Sequence, residues 1–222
     1  MARLRLAPLA LVIVCLWLTG CVKSSNPFSD PARSAPDKNM IGLWKEVGKK
    51  DASLVAVGLD WRARVRNQES WKKRLRDVPP GLMVMRNVEW NEEQELEPLF
   101  RSSTKQSFFP SVIGSETYLN ALQGEFDKDI WSPTKITGYR VIRYRVTGDT
   151  LELWTGSEEG VAAAVESGGV RGAVTRDPKD KRLQSAELTD TTQNLAKYIV
   201  AGGGKVLFPD RTKKTYQRVK LP

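Results

Sequence analysis

Histidine is absent from the 222 residues, and cysteine occurs only twice, at Cys15 and Cys21. Without an imidazole there is no Ser-His-Asp triad, no Cys-His pair and no His-ligated zinc or haem. The apolar fraction is 40% and the charged fraction 27%, values typical of a folded globular body and not of a polytopic membrane protein. The composition therefore argues against most enzymes, and we expect neither a metal nor an organic cofactor.

A basic and then apolar segment begins the chain. Arg3 and Arg5 precede a mainly apolar run from Leu6 to Thr19. Because this run is too short to cross about 30 Å of hydrocarbon as a helix, it predicts the apolar core of a signal peptide over residues 1–20. The run ends in Leu18-Thr19-Gly20-Cys21, which resembles the bacterial lipobox. The alternative is an ordinary cleaved signal peptide with an incidental cysteine.

The lipobox resemblance implies cleavage before Cys21 and attachment of diacylglycerol to its sulfur. Two or three acyl chains supply the multiple anchors that stable membrane attachment requires. Val22, in place of an aspartate after the cysteine, implies the periplasmic face of the outer membrane in a host with two membranes. Cleavage also removes Cys15 and two arginines, which lowers the net charge of +9 by two.

A segment rich in turn residues follows the cysteine. Asn26-Pro27, Asp30-Pro31 and Ala35-Pro36 punctuate it, and its apolar residues show no periodicity. We predict that residues 21–38 form a flexible tether that begins at the lipidated cysteine. Residues 39–222 would then form one folded domain held away from the lipid headgroups.

Short segments with alternating apolar residues dominate the folded domain and predict an antiparallel barrel or sandwich. Gly148-Asp149 joins the two best-defined strands in a tight hairpin turn. With a first strand near Gly42, the predicted strands are Leu54–Arg66, Leu82–Glu89, Ser107–Ile113, Thr117–Leu122, Gly138–Thr147, Thr150–Thr155, Lys205–Phe208 and Thr215–Leu221.

Two helical segments interrupt the strands. The first is predicted over Glu158–Ser167, with Gly168-Gly169 as its stop. The second begins at Asp190 and is predicted to stop at Gly202-Gly203-Gly204. The glycine run before Lys205 does not fit a phosphate-binding loop, because the helix precedes the glycines instead of following them.

Several short motifs resemble lipocalins and lipocalin-like bacterial lipoproteins. They are Gly42-Leu43-Trp44, the hairpin from Tyr139 to Leu153, the helix at Asn194-Leu195 and the strand Tyr216-Gln217-Arg218. The resemblance implies a mainly β, lipocalin-like antiparallel barrel of about eight to ten strands with two short helices. It also implies that Trp44 closes the base of the barrel beside Gly42, and that Arg218 packs over the tryptophan as a cation–π partner.

A strongly basic segment lies between the first strands. Nucleic acid is the usual partner of such a segment, but an exported lipoprotein rarely meets it, so we expect no nucleic acid. An anionic lipid surface is a better partner than nucleic acid, but an ordinary solvated face is the commoner explanation of such a segment. The cations are Arg62, Arg64, Arg66, Lys72, Lys73, Arg74 and Arg76, with Trp61 and Trp71 among them.

Carboxylates offer the remaining enzymatic chemistry, because paired acids in different environments can serve as acid and base. The spacing of these acids does not distinguish them from ordinary surface acids, or from ion-pair partners of the basic segment. The candidates are Asp127 with Asp129, Glu152 with Asp149, and the acidic run of Glu92, Glu93, Glu95 and Glu97.

Six tryptophans follow the signal peptide, and they suit either a core or an aromatic barrel mouth that receives a ligand: Trp44, Trp61, Trp71, Trp90, Trp131 and Trp154. Our first hypothesis is a non-enzymatic envelope lipoprotein that binds a small apolar or amphipathic ligand. The alternative is an interaction module that docks a basic face on anionic lipid, a polymer or an envelope protein. A carboxylate-dependent hydrolase is the third hypothesis.

Overall fold

The computed structural model describes residues 21–48, 54–60, 62, 68–72, 78–88, 105–126 and 133–220. The predicted signal peptide lies outside these residues. The strands are β1 Val22–Ser24, β2 Gly42–Glu46, β3 Leu54–Leu59, β4 Met83–Val88, β5 Lys105–Ile113, β6 Glu116–Phe126, β7 Pro133–Thr147, β8 Thr150–Trp154, β9 Gly172–Arg176, β10 Leu183–Leu188 and β11 Lys213–Arg218. The α-helices are α1 Glu69–Lys72, α2 Glu158–Glu166, α3 Thr192–Tyr198 and α4 Gly204–Leu207.

Eight of these strands form a closed antiparallel barrel. Strands β2 to β8 are paired with their neighbours in chain order, and β11 pairs with both β8 and β2 to close the ring. At the closure Trp44 lies opposite Arg218, and Glu46 lies opposite Tyr216. The prediction of a mainly β, lipocalin-like antiparallel barrel with two principal helices is therefore confirmed.

Alternation along the strands produces two cores. In β6, Leu119 and Ala121 point into the barrel, whereas Tyr118 and Leu122 point outward. The outward side chains do not meet solvent, because α2, α3, α4 and the N-terminal segment cover this part of the wall. The barrel thus has one core inside it and a second core between its wall and the helices.

Residues 22–38, predicted as a flexible tether, instead pack against the barrel. Strand β1 pairs antiparallel with β7 and parallel with β10, and so joins the barrel to the β9–β10 hairpin. Phe28 is completely buried against the rings of Tyr118 and Phe208, and its backbone N–H donates to Asn120 Oδ1 over 2.8 Å. The tether prediction was wrong because these partners lie far along the chain, where no local pattern reveals them.

The helices differ from prediction at the second glycine run. Helix α3 is capped by Thr191, not Asp190, and a π-helical turn follows it. Gly202 has φ +98°, which turns the backbone into α4, so the predicted strand Lys205–Phe208 is helical instead. A Cβ on Gly204 would lie 2.9 Å from the Tyr118 hydroxyl oxygen. The absence of a side chain at this position therefore lets α4 pack closely against the barrel wall.

Candidate functional site

Cys21 immediately precedes β1 and is 6% exposed. Burial raises the pKa of its thiol to about 11, although the nearby cations of Arg140 and Lys214 act in the opposite direction. An unmodified thiol is therefore protonated and weakly nucleophilic at neutral pH in the folded protein. Among the helices of the described residues, none is both long and apolar enough to span a bilayer.

The base of the barrel is closed by the pair predicted from the lipocalin resemblance. The guanidinium carbon of Arg218 lies 4.1 Å from the centre of the Trp44 ring. Arg218 also donates to the backbone oxygens of Ile41 and Asn39, each over 2.6 Å. Glycine is favoured at position 42 because its φ of +149° is a backbone conformation that L side chains rarely adopt, and a Cβ would also lie 2.5 Å from Arg218 Nη1.

A short turn lies across the same end of the barrel. It is the 3₁₀ helix Lys38–Met40, and the side chain of Met40 is completely buried. The Trp44 indole nitrogen donates to the Met40 carbonyl over 2.8 Å, and the Tyr144 hydroxyl donates to Asp37 over 2.9 Å. Burial, followed by the charge of Asp37, raises the pKa of Tyr144, which therefore stays a neutral donor.

Inside the barrel, large side chains of the described residues pack against one another. They form one apolar cluster with the closing tryptophan, and several of them are completely buried. Its buried members are Met40, Trp44, Val55, Val57, Met83, Phe108, Leu119, Ala121, Tyr144, Leu151, Leu153 and Tyr216. An eight-stranded barrel has room either for such side chains or for one small ligand.

Arg62, predicted as the first member of an exposed basic patch, is completely buried. It forms a bidentate ion pair with Asp60, over 2.7 and 2.6 Å, and donates to Ser107 Oγ over 2.6 Å. Strand β3 ends at Leu59, so the alternation predicted through Arg66 does not continue as a strand at Arg62. The prediction failed here because ion pairing lets a charged residue lie on the buried side.

The other members of the predicted patch cannot be placed in the same way. The backbone of Lys72 lies in α1, but its side chain is outside the described residues. Also outside them are Arg64, Arg66, Lys73, Arg74 and Arg76. The basic patch remains a prediction for these residues, and Arg62 is not part of it.

The candidate carboxylates that the structure describes are engaged by cations. Glu152 is bonded to Arg145 and Lys213; burial favours a higher pKa, but these hydrogen bonds outweigh it and lower the pKa of Glu152. Asp149 pairs with Arg218 over 3.3 Å. The remaining candidates, Asp127, Asp129, Glu92, Glu93, Glu95 and Glu97, lie outside the described residues. Within the described ranges, no three acidic or cysteine side chains are grouped so as to hold a metal ion.

Trp44 and Trp154 are the two predicted aromatic candidates whose side chains are described, and both are buried. The Trp154 ring lies 4.6 Å from the guanidinium carbon of Arg143, and its indole nitrogen donates to Asp210 over 3.0 Å. Both tryptophans therefore have structural roles. The side chains of Trp61, Trp71, Trp90 and Trp131 lie outside the described residues.

Sequence analysis missed an open groove on the outside of the barrel. It has a volume of about 870 Å³ and lies where the end of α2, the start of β9 and the exposed side of α3 meet. Arg171, Asp190, Lys197 and Tyr198 contribute to its lining. The only signal in the sequence was the pair of glycine runs, which have ordinary explanations as helix stops.

Comparison of this chain with protein families, with curated proteins and with solved structures gave no match.

Proposed function

We propose that this chain is a non-enzymatic lipoprotein of the cell envelope, anchored through acylated Cys21, whose barrel is a packed scaffold that binds partners through its outer surface. The observation that carries this proposal is the apolar cluster that described side chains form inside the barrel. Phe108, Met83 and Tyr216 occupy the space where a lipocalin-like barrel would hold a ligand, and Trp44 with Arg218 closes the base. This packing favours the interaction-module hypothesis over an apolar ligand inside the barrel.

The surroundings of Cys21 support anchoring close to a membrane. Because Cys21 leads directly into β1, acyl chains on its sulfur would bring the barrel wall to the headgroups without an intervening spacer. Arg140 and Lys214 lie near the thiol, and the Lys23 side chain is 42% exposed and pairs with Glu158 over 3.7 Å. Cations near an anionic leaflet contribute about 1 kcal/mol each to membrane binding.

Metabolic labelling tests the anchor. Cells that express the full chain are fed an alkyne-bearing palmitate, and the purified protein is probed for label. We expect label on the wild type and on Cys15→Ser, the matched control, and none on Cys21→Ser, which should also leave the membrane fraction. Label that persists on Cys21→Ser, or a wild type without label, would overturn the proposal. Separation of inner and outer membranes tests the sorting implied by Val22.

A second experiment tests where a partner binds. We expect native mass spectrometry of the full chain, released from detergent, to show no apolar molecule inside the barrel. Phe108→Ala opens a cavity in the inner core, and it should therefore take up a hydrophobic fluorescent probe that the wild type excludes. A lipid that copurifies with the wild type, and is displaced by the same probe, would instead favour the apolar-ligand hypothesis.

A further inference from the structure

The groove outside the barrel is bounded by segments that are distant in the sequence. Gly168 and Gly169 follow α2, Arg171 precedes β9, and Asn194 and Lys197 lie on α3. Its volume of about 870 Å³ lies within the range of about 300–1,000 Å³ that is usual for small-molecule sites. The groove is open to solvent along its length, and the barrel interior takes no part in it.

Tyr198 is held in the groove wall between two glycines. A Cβ on Gly169 would lie 2.8 Å from Tyr198 Cε2, and a Cβ on Gly203 would lie 2.2 Å from Tyr198 Cε1. The two glycine runs therefore leave room for one aromatic ring, which fixes its orientation. Among the described residues the Tyr198 hydroxyl has no hydrogen-bond partner, so it is available to a ligand.

The charge of the groove is positive. Lys197 is exposed and has no ion-pair partner within the described part of the chain. The Arg171 side chain is 76% exposed, and its Nε lies 3.6 Å from Asp190 Oδ1 in an ion pair. The acid in the lining, Asp190, is 6% exposed and accepts from the backbone N–H groups of Arg171 and Thr191 and from the Asn194 amide. Its charge is thus already compensated by donors of the protein.

We propose that this groove binds an anionic ligand that carries carboxylate or phosphate groups. Lys197 supplies a positive charge unpaired among the described residues, and Arg171 adds an exposed guanidinium whose partner in the protein is Asp190. The Tyr198 hydroxyl adds a neutral donor, and the side-chain oxygen of Asn194 accepts from a ligand hydroxyl. The proposal does not depend on acylation of Cys21. It goes beyond the proposed function by naming a site and a ligand chemistry.

Calorimetric titration of the full chain in non-ionic detergent tests the site. The probes are pyrophosphate for a phosphate ligand, trigalacturonate for a carboxylate ligand, and maltotriose as an uncharged trisaccharide. Arg171→Gln and Lys197→Gln each remove one charge, and Tyr198→Phe removes only the hydroxyl. Lys179→Gln, on the exposed β9–β10 turn outside the groove, is the matched control.

We expect at least one of the two anions to bind, and maltotriose to bind more weakly than that anion. Arg171→Gln and Lys197→Gln should each weaken anion binding by about tenfold. Lys179→Gln should leave binding unchanged, and Tyr198→Phe should weaken it by a smaller factor. Absence of anion binding at millimolar concentration, or an equal loss in Lys179→Gln, would overturn the proposal. Cys21→Ser should bind as the wild type does, which separates this result from the test of the anchor.

Discussion

Replacement of Arg218 by methionine should open the base of the barrel. Methionine retains an unbranched apolar stem but removes the guanidinium that contacts Trp44 at 4.1 Å and donates to Ile41 and Asn39. A hydrogen bond from a charged donor contributes about 1.5–3 kcal/mol, and a cation–π contact about 0.5–2 kcal/mol. Because the Arg218 side chain is 25% exposed, we use the lower part of these ranges and expect a loss of about 3–5 kcal/mol.

Urea denaturation of the full chain in detergent measures this loss directly. The same destabilisation should lower the melting temperature by about 6–20 °C for a domain of this size. Arg218→Lys should lose less stability than Arg218→Met, because lysine keeps the positive charge. It should still be less stable than the wild type, because lysine lacks the planar guanidinium that donates to both carbonyls. Arg33→Met is the matched control: its side chain is 88% exposed, and it should change stability by less than about 0.5 kcal/mol. A loss of under about 1 kcal/mol in Arg218→Met would refute the closing role of this arginine.

Three further predictions concern buried charge and close packing. Arg62→Ala should lower the free energy of unfolding by about 3–5 kcal/mol in denaturant titration, because it leaves Asp60 buried without its main partner. A change near zero would instead support an exposed Arg62, as the sequence predicted. Hydrogen bonds from the Arg171 backbone and the Asn194 side chain lower the pKa of Asp190 below its ordinary value of 3.8. The folding stability that the ionised Asp190 contributes is therefore complete above pH 3.8, and it is lost as the pH falls through the lower pKa of the folded state. Asp190→Asn should therefore lower the melting temperature by more at pH 7 than at acidic pH, and equal losses at both pH values would contradict this linkage. Gly160→Ala should destabilise the protein, because its Cβ would lie 2.1 Å from the backbone oxygen of Val206, and a higher melting temperature would show that helix propensity outweighs this contact.

The barrel strands were predictable because their signals are local. Gly148 has φ +56° at the turn between β7 and β8, where glycine adopts such a conformation without strain. Strands β6 and β7 carry apolar side chains on both faces, as expected for a wall with an apolar layer on each side. The lipocalin resemblance implied that Arg218 packs over Trp44; the two residues are opposite each other in the pairing of β2 with β11, and the guanidinium lies over the ring.

The failures of prediction share a physical cause, which is dependence on distant partners. Phe28 stands alone among turn residues in the sequence and is buried only because Tyr118 and Phe208 meet it in space. The β-branched and aromatic residues of Lys205–Phe208 favour a strand. The chain is instead helical over Gly204–Leu207, and Gly204 packs closely against the barrel wall. Local periodicity contains no information about either contact.

The groove could not be predicted for a related reason. Gly168-Gly169 and Gly202-Gly203 are each explained adequately as helix ends when considered alone. Only the approach of Gly169, after α2, and of Gly203, after α3, to one ring shows that both runs flank Tyr198. A binding surface formed by backbone close approach leaves no spacing motif in the sequence.

The position of β1 also has a consequence for the order of events during biogenesis. Its partners on β7 and β10 are synthesised long after Val22, and the last of them, Leu188, lies near the other end of the chain. Until those strands emerge and fold, Cys21 is accessible; afterwards it is 6% exposed with a protonated thiol. Under the proposed anchoring, an acyltransferase therefore acts on the nascent or unfolded chain, and folding that outpaces export would leave the protein without its lipid.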